Sequence, residues 1–444
     1  MTLTGRFTLL LALGVVPVVL LGADAGTAWA VMGGWLALAI ALGAVDLAFA
    51  ASPRRLALDR ELPARLRLGE TATSELVVRN LGPRRLRAVV RDGWVPSSGV
   101  HGPNRTAVDV PPGEGRRFAL RLTPTRRGDR RTEAVTVRSF GPLGLWARQA
   151  TLAAPGRLRV LPPFHSRAHL PARLTRLREL DGRTPILIRG QGTEFDSLRE
   201  YVRGDDVRSI DWRATARRAD PESYGSTRLM VRTWRPERDR RIVIVVDTSR
   251  TAAARVGDEP RLDTSFETAL LLAALASHAG DRVDFLAWDR RLRGRVHGAS
   301  GPDLLARMVD AMAGIEAELI EADWAALPAQ VRGVTSRRAL IVLLTAADSP
   351  GSARGLLSVL PQLTARHRVV VASVADPSLA DAVARRGDLA EVYAAAAAER
   401  SRLDADRVAA AIRHLGASTV SASPLELPPA VADRYLELKA AGQL

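Results

Sequence analysis

The stretch IVIVVDTSRT, Ile242 to Thr251, decides the fold of the C-terminal half. Its apolar residues run without a polar break until Asp247. A continuous apolar run of that length suits a parallel strand buried on both faces. Downstream of it, segments of two kinds alternate. TSFE, Thr264 to Glu267, reads as a capping box opening an apolar helix through His278. RVDFLAW reads as a strand, Leu304 to Ile315 as a helix, and ALIVLLT (Ala339 to Thr345) as another buried strand. A helix near Arg354 to Leu363, the strand RVVVASV, helix from Ser378 to Leu415, the strand STVSAS and a terminal helix in PPAVADRYLELKAAG complete the pattern. Alternating strands and helices predict a doubly wound α/β domain over 241–444, with its ligand site beyond the strand ends.

Upstream, 56–162 reads differently. RRFALRLTP places Phe118, Leu120 and Leu122 on one face, and EAVTVRS alternates likewise. Turn signals at NLGP, PPGEG, RRGD and FGPLG separate the runs. Period-two runs at this spacing predict an antiparallel, sandwich-like domain. Residues 163–240 connect it to the α/β domain.

The N-terminus carries two apolar runs, Phe7 to Gly22 and Thr27 to Val45, the second continuing past Asp46 to Ala51. Each approaches the length that crosses a hydrocarbon core of about 30 Å. Arg6 precedes the pair and Arg54 and Arg55 follow it. Positive flanks stay cytoplasmic, which predicts a two-helix hairpin over 1–55 in the cell membrane and a cytoplasmic body. TAWA, Thr27 to Ala30, also has the form of a signal-peptidase site, so cleavage of the first run is the competing reading.

Composition narrows the chemistry. The net charge is +16, carried by arginine, with Lys439 the single lysine. A G-x-x-x-x-G-K-[ST] phosphate loop is therefore absent from the body of the chain. There is no cysteine, which removes disulfides, thiol catalysis and cysteine zinc sites. Only His165 and His169 lie four apart, outside any H-E-x-x-H pattern. Arginine is interleaved with Asp and Glu, so neither nucleic acid nor a small-molecule substrate is the expected partner.

YVRGDDVRSIDWRATARR, Tyr201 to Arg218, concentrates charge. A metal-dependent hydrolase using Asp205, Asp206 and Asp211 is the enzymatic alternative, and DNA binding through net charge a third. The capped-helix reading covers more residues. Gly204 turns the chain, Asp205 or Asp206 caps a helix, and Val207, Ile210 and Ala214 share a face. Arg208 lies three from Asp211, and Arg213 and Arg217 fall toward the last turn. Asp211, between Ile210 and Trp212, is left over by capping. It is expected to be an ion-pair anchor beside a packed Trp212, clamping the membrane-proximal part to the sheet domain.

DTSRT sets Asp247, Ser249 and Thr251 at alternate positions at a strand end, hard oxygen donors that suit Mg²⁺. The stretch resembles the metal-ion-dependent adhesion site of von Willebrand factor A domains, D-x-S-x-S. That resemblance implies a further aspartate after a later strand, where Ala346 stands in LLTAADSP; Asp348 is the substitute and Ser300 the candidate for a remote hydroxyl. Nearly the whole chain resembles the family known as domain of unknown function fifty-eight, on EFDSLREYVRGDDVRSIDWRATARR (Glu194 to Arg218), TRRG with GPLGLW, and YLELKAAGQL. The resemblance implies a membrane hairpin, a β-rich segment, an A-like domain with a degenerate adhesion site, and action beside a MoxR-type AAA+ ATPase. The expectation is a membrane-anchored, non-enzymatic interaction protein.

Overall fold

A computed structural model describes residues 1–183, 194–202, 207–218, 229–235 and 240–444. The chain divides into two compact units, Met1–Pro163 with Val309–Ile315, and Phe164–Met308 with Glu316–Leu444.

The first unit opens with a short strand, β1 (Thr2–Leu3), and the apolar runs form helices: α1 (Gly5–Leu13), α2 (Val15–Leu21) and α3 (Ala25–Phe49). The first run is thus two helices rather than one. Pro17 has no N–H, and its ring crowds the carbonyl four residues back, Leu13, where α1 ends. The Asp24 carboxylate accepts the Thr27 N–H and the Thr27 hydroxyl accepts the Asp24 N–H, capping α3. With the turn after it, α3 (Ala25–Arg55) is long and apolar enough to cross a membrane; Gly5–Leu21 is a shorter apolar stretch.

The chain then enters β2 (Leu56–Glu61), β3 (Arg65–Arg67), β4 (Ala72–Asn80), β5 (Leu86–Asp92), β6 (Val100–His101), β7 (Arg105–Val110), β8 (Gly115–Leu122), β9 (Gly128–Phe140) and β10 (Trp146–Leu161). One sheet has the order β1-β10-β9-β5-β7, with β3 alongside β10; the other runs β2-β4-β8-β6. All pairs are antiparallel except β3 with β10. Alternate residues turn inward, as period-two patterning requires. Leu76 and Val78 from one sheet meet Leu86, Val90, Val135 and Val137 from the other in a single core.

A carboxylate ties α3 to this sandwich. Asp46, 1% exposed, accepts backbone N–H bonds from Leu143, Gly144, Leu145 and Trp146 at 2.7, 3.3, 2.7 and 3.2 Å. Those residues belong to the GPLGLW turn. A Cβ on Gly43 would lie 2.5 Å from the Trp146 ring, and one on Gly141 2.2 Å from the Asp46 carboxylate. Glycine is what lets helix and turn approach this closely.

The second unit begins with α4 (Leu170–Arg183). A small hairpin of β11 (Glu194–Glu200) and β12 (Met230–Arg235) carries α5 (Trp212–Arg218) in its connection. The main domain then runs as β13 (Arg241–Asp247), β14 (Arg255–Val256), β15 (Glu259–Pro260), α6 (Arg261–His278), β16 (Arg282–Trp288), β17 (Leu292–Val296), α7 (Gly301–Ala313), α8 (Leu327–Arg332), β18 (Leu340–Leu344), α9 (Pro350–Thr364), β19 (Arg368–Val374), α10 (Ser378–Ala384), α11 (Leu389–His414), β20 (Ser418–Ala422) and α12 (Leu427–Ala440). The sheet order is β17-β16-β13-β18-β19-β20, parallel throughout except for the edge strand β17. Val243 and Val245 pack with Leu327, Leu356 and Leu360 of α8 and α9. On α6, Phe266 meets Phe285 of β16. Helices therefore cover the sheet as its unbroken apolar strands predict.

One local expectation needs correction. α6 starts at Arg261, and Pro260, with φ near −65°, sets its first turn. TSFE lies inside the helix: the Thr268 hydroxyl donates to the Thr264 carbonyl at 2.8 Å, and Glu267 accepts the His165 and Ser166 N–H groups. The single lysine is internal. Lys439 Nζ donates to Asp281 at 3.0 Å beside the Tyr435 hydroxyl, which donates to the same carboxylate at 2.5 Å. That network fastens α12.

Candidate interaction helix and strand-end crevice

The signature segment is built around β12. Tyr201 N–H donates to the Leu229 carbonyl at 2.8 Å, and Ile210 bridges to Val231. Asp211 N–H donates to the Met230 carbonyl at 2.8 Å. Helix begins only at Trp212, because the carboxylate that can cap it is that of Asp211. Its Oδ1 accepts the Arg213 and Ala214 N–H groups, both at 3.0 Å. Its Oδ2 takes the Arg232 Nε at 2.6 Å. The Thr215 hydroxyl donates to the Asp211 carbonyl at 2.9 Å and accepts the Met230 N–H at 3.0 Å. The cap's N–H bonds, chiefly from Ala214, and the Arg232 guanidinium hold the Asp211 carboxyl below its ordinary range.

Three expectations change here. Asp211 is itself the N-cap, so capping does account for it. Its ion-pair partner is Arg232, across the hairpin, rather than a group in the membrane-proximal part. Trp212 is no packed wedge: it is 66% exposed, with Val207 at 64%. The N1 position places its side chain off the hairpin, while Ile210, Thr215, Met230 and Val231 take the buried side. Arg208 and Arg217 lie on the exposed side. Gly204, Asp205 and Asp206 lie outside the described residues.

The second site sits where the sheet order reverses, between β13 and β18. Crevices at that position are where open α/β sheets take ligands. Asp247 ends β13 and is 4% exposed. Its Oδ1 accepts the Ser249 N–H at 2.8 Å; its Oδ2 accepts the hydroxyls of Thr251 at 3.0 Å and Thr345 at 2.6 Å. Ser249 Oγ lies 3.2 Å from Thr251 Oγ1. The expected trio is therefore brought together. Asp247, Arg261, Ser265, Thr345 and Ala346 line one crevice. Asp348 is turned to a different task, pairing with the Arg261 guanidinium at 2.6 Å. Ser300 precedes α7 and is not among the crevice residues.

Mg²⁺ seeks several oxygen ligands and rejects nearby cations. Here one carboxylate is taken up by three donors, the second is bound to an arginine, and that arginine lines the crevice. This donor set does not fit the ion. Among the described residues, no group of three or more His, Asp or Glu side chains is placed to hold a metal.

Sequence reasoning missed Thr345, Arg261 and Asp289. Asp289 is fully buried and accepts the Thr248 hydroxyl at 3.0 Å, the Arg293 Nε at 2.6 Å and two N–H groups. Burial alone would push its carboxyl up; Arg293 and those donors outweigh it and hold it low. The network braces the loop that presents Ser249. Its signal was WDRRLR, an aspartate at a strand end in a basic turn.

Comparison with known proteins places these features. The uncharacterized protein Rv1480 of Mycobacterium tuberculosis is 28% identical over 198 residues, 43% of this chain and 57% of that protein. The uncharacterized protein Mb1516 of Mycobacterium bovis matches equally. The chain thus spans little more than half the length of these relatives. Among solved structures, the CARDB domain of the PF1109 protein of Pyrococcus furiosus covers 24% of this chain and 91% of its own, at 19% identity and a TM-score of 0.17. A β-glucosidase from Listeria innocua covers 24% and 16%, at 16% identity and 0.15. Residues 197–415, which hold both the signature helix and the strand-end crevice, match the family described as "Protein of unknown function DUF58", and over that stretch this is a DUF58 protein.

Proposed function

We propose that this protein is a membrane-anchored, non-enzymatic interaction protein with a von Willebrand A-like domain, and that it docks a MoxR-type AAA+ ATPase through its signature helix on the cytoplasmic face. The observation that carries this is Trp212. It is 66% exposed, and Val207 of the same segment is 64% exposed; exposed apolar surface of this kind supports an interaction site, and tryptophan is among the residues enriched at interface hot spots. The helix beneath it is fixed by the Asp211 cap, the Arg232 pair and the Thr215 bonds, so docking would meet a preorganised surface.

The membrane arm of the reading rests on chain connectivity. β1 pairs with β10, and β2 enters the second sheet of the same sandwich. The Thr4 hydroxyl is 2.7 Å from the Gly144 carbonyl, and Phe7 lies edge-on to Trp146. Both ends of the apolar helices thus return to one side, which favours an uncleaved two-helix hairpin. Arg6, Arg54 and Arg55 then put that side in the cytoplasm. Strand order, the antiparallel edge strand and DTSRT at the end of the first central strand support the A-like assignment.

Co-purification from membranes is the test. Wild type is expected to bring down an AAA+ ATPase, and Trp212→Ala, melting at the same temperature, to lose about 2 kcal/mol of binding or more. Equal capture by the variant would refute docking at this helix.

A further inference from the structure

The crevice at the end of β13 holds a cation of its own. Arg261 opens α6, its N–H bonded to the Ala254 carbonyl at 2.9 Å and its carbonyl accepting the Ser265 hydroxyl at 2.9 Å. Its side chain is 15% exposed and lines the crevice with Asp247. One end of the guanidinium bonds Asp348 at 2.6 Å, while its Nε is buried without a hydrogen-bond partner. A buried N–H of a charged group with no acceptor is costly. Asp247, a second carboxylate, lines the same crevice.

We infer that the Arg261 guanidinium takes the place of a divalent cation at this crevice, joining Asp247 and Asp348 into a metal-independent site. Three features converge on this. Of the two carboxylates available to a metal, Asp348 is paired with Arg261 and Asp247 shares the crevice with that arginine. Ala346 stands where a second direct ligand would be needed. The hydroxyls of Thr251 and Thr345 donate to Asp247, as they would beside a carboxylate whose charge is balanced by a neighbouring organic cation. An arginine is permanently charged and planar, so it can hold one carboxylate by its end and neutralise another without the exchange and hydration that govern Mg²⁺. The inference is independent of docking at the signature helix, which lies on other residues.

The test is titration of the full-length protein in detergent with MgCl₂ and MnCl₂, monitored by calorimetry, together with melting in EDTA and in millimolar Mg²⁺. Wild type is expected to show no saturable binding and one melting temperature in both buffers. Arg261→Ser releases Asp348 and should gain saturable Mn²⁺ binding and a melting temperature that rises with Mg²⁺. Adding Asp247→Asn should abolish both gains. If Arg261→Ser does not fold, Arg261→Gln, which keeps much of the length, takes its place. Saturable Mg²⁺ binding by wild type that Asp247→Asn removes would overturn the inference. So would a folded Arg261 variant that stays indifferent to both ions.

Discussion

Asp211 shows how a single carboxylate can do two jobs at once. One oxygen caps α5 and the other pairs with Arg232. Asp211→Asn should keep the cap, since asparagine caps nearly as well, and lose the pair; Asp211→Ala should lose both. Thermal melting is expected to rank wild type, Asn and Ala in that order. The Asp211 carboxyl is held low, so its contribution is present above the ordinary value of 3.8 and fades as pH falls through its lower folded value. The wild-type advantage over Asn should shrink in that acid range; an Ala variant equal to wild type would remove the cap from the account. Glu259 behaves in the opposite sense. Burial, and then the Glu267 and Asp263 carboxylates, push its carboxyl above the ordinary 4.5. The folded chain holds that proton more tightly than the unfolded one. Its contribution is complete below 4.5 and is lost as pH rises through the raised value. Glu259→Gln is therefore expected to melt higher than wild type at about pH 7 and level with it once the medium is more acidic than that ordinary value. A variant that melts lower at neutral pH would contradict this.

At the scale of elements, α3 is the member whose attachment matters most. Four successive N–H groups converge on Asp46, two on each oxygen. Asp46→Asn leaves one acceptor oxygen and turns an amide toward the other pair. With two buried donors stranded, the loss is about 2 kcal/mol or more, read as a lower melting temperature of the detergent-solubilised protein. Unchanged melting would mean that the turn does not depend on the helix. This attachment was not legible in the sequence, where Asp46 was only an interruption in an apolar run and GPLGLW a turn signal and family mark with no stated partner. The partners lie about a hundred residues apart, and nothing in local patterning links them. The same holds for Asp211 with Arg232 and for Arg261 with Asp348. By contrast, β13, β18 and β19 were readable at once, because full burial on both faces leaves an unbroken apolar string. DTSRT was readable too, since a strand end and alternate spacing suffice to gather three oxygens. The edge strand β17 escaped notice, being half exposed and arginine-rich. The start of α6 was misplaced because a capping-box pattern also fits an interior helical turn whose glutamate serves another segment.

For the whole molecule, the architecture is an apolar helical N-terminus joined to a sandwich, and then a mixed α/β domain bearing the signature hairpin. On the proposed reading, anchor and sandwich keep the chain at the membrane while the second unit offers Trp212 to a partner. On that reading the described carboxylates serve to hold an interaction surface in place. Asp211, Asp247, Asp289 and Asp348 are each engaged by N–H groups, hydroxyls or arginines, an arrangement that positions loops. The most direct check places a photo-crosslinking amino acid at position 212 of the full-length protein in native membranes. Irradiation is predicted to yield an adduct with an AAA+ ATPase subunit that is absent when the same group replaces buried Met230 or when light is withheld. Labelling at position 212 that yields no ATPase adduct, with the ATPase present in the same membranes, would contradict the account.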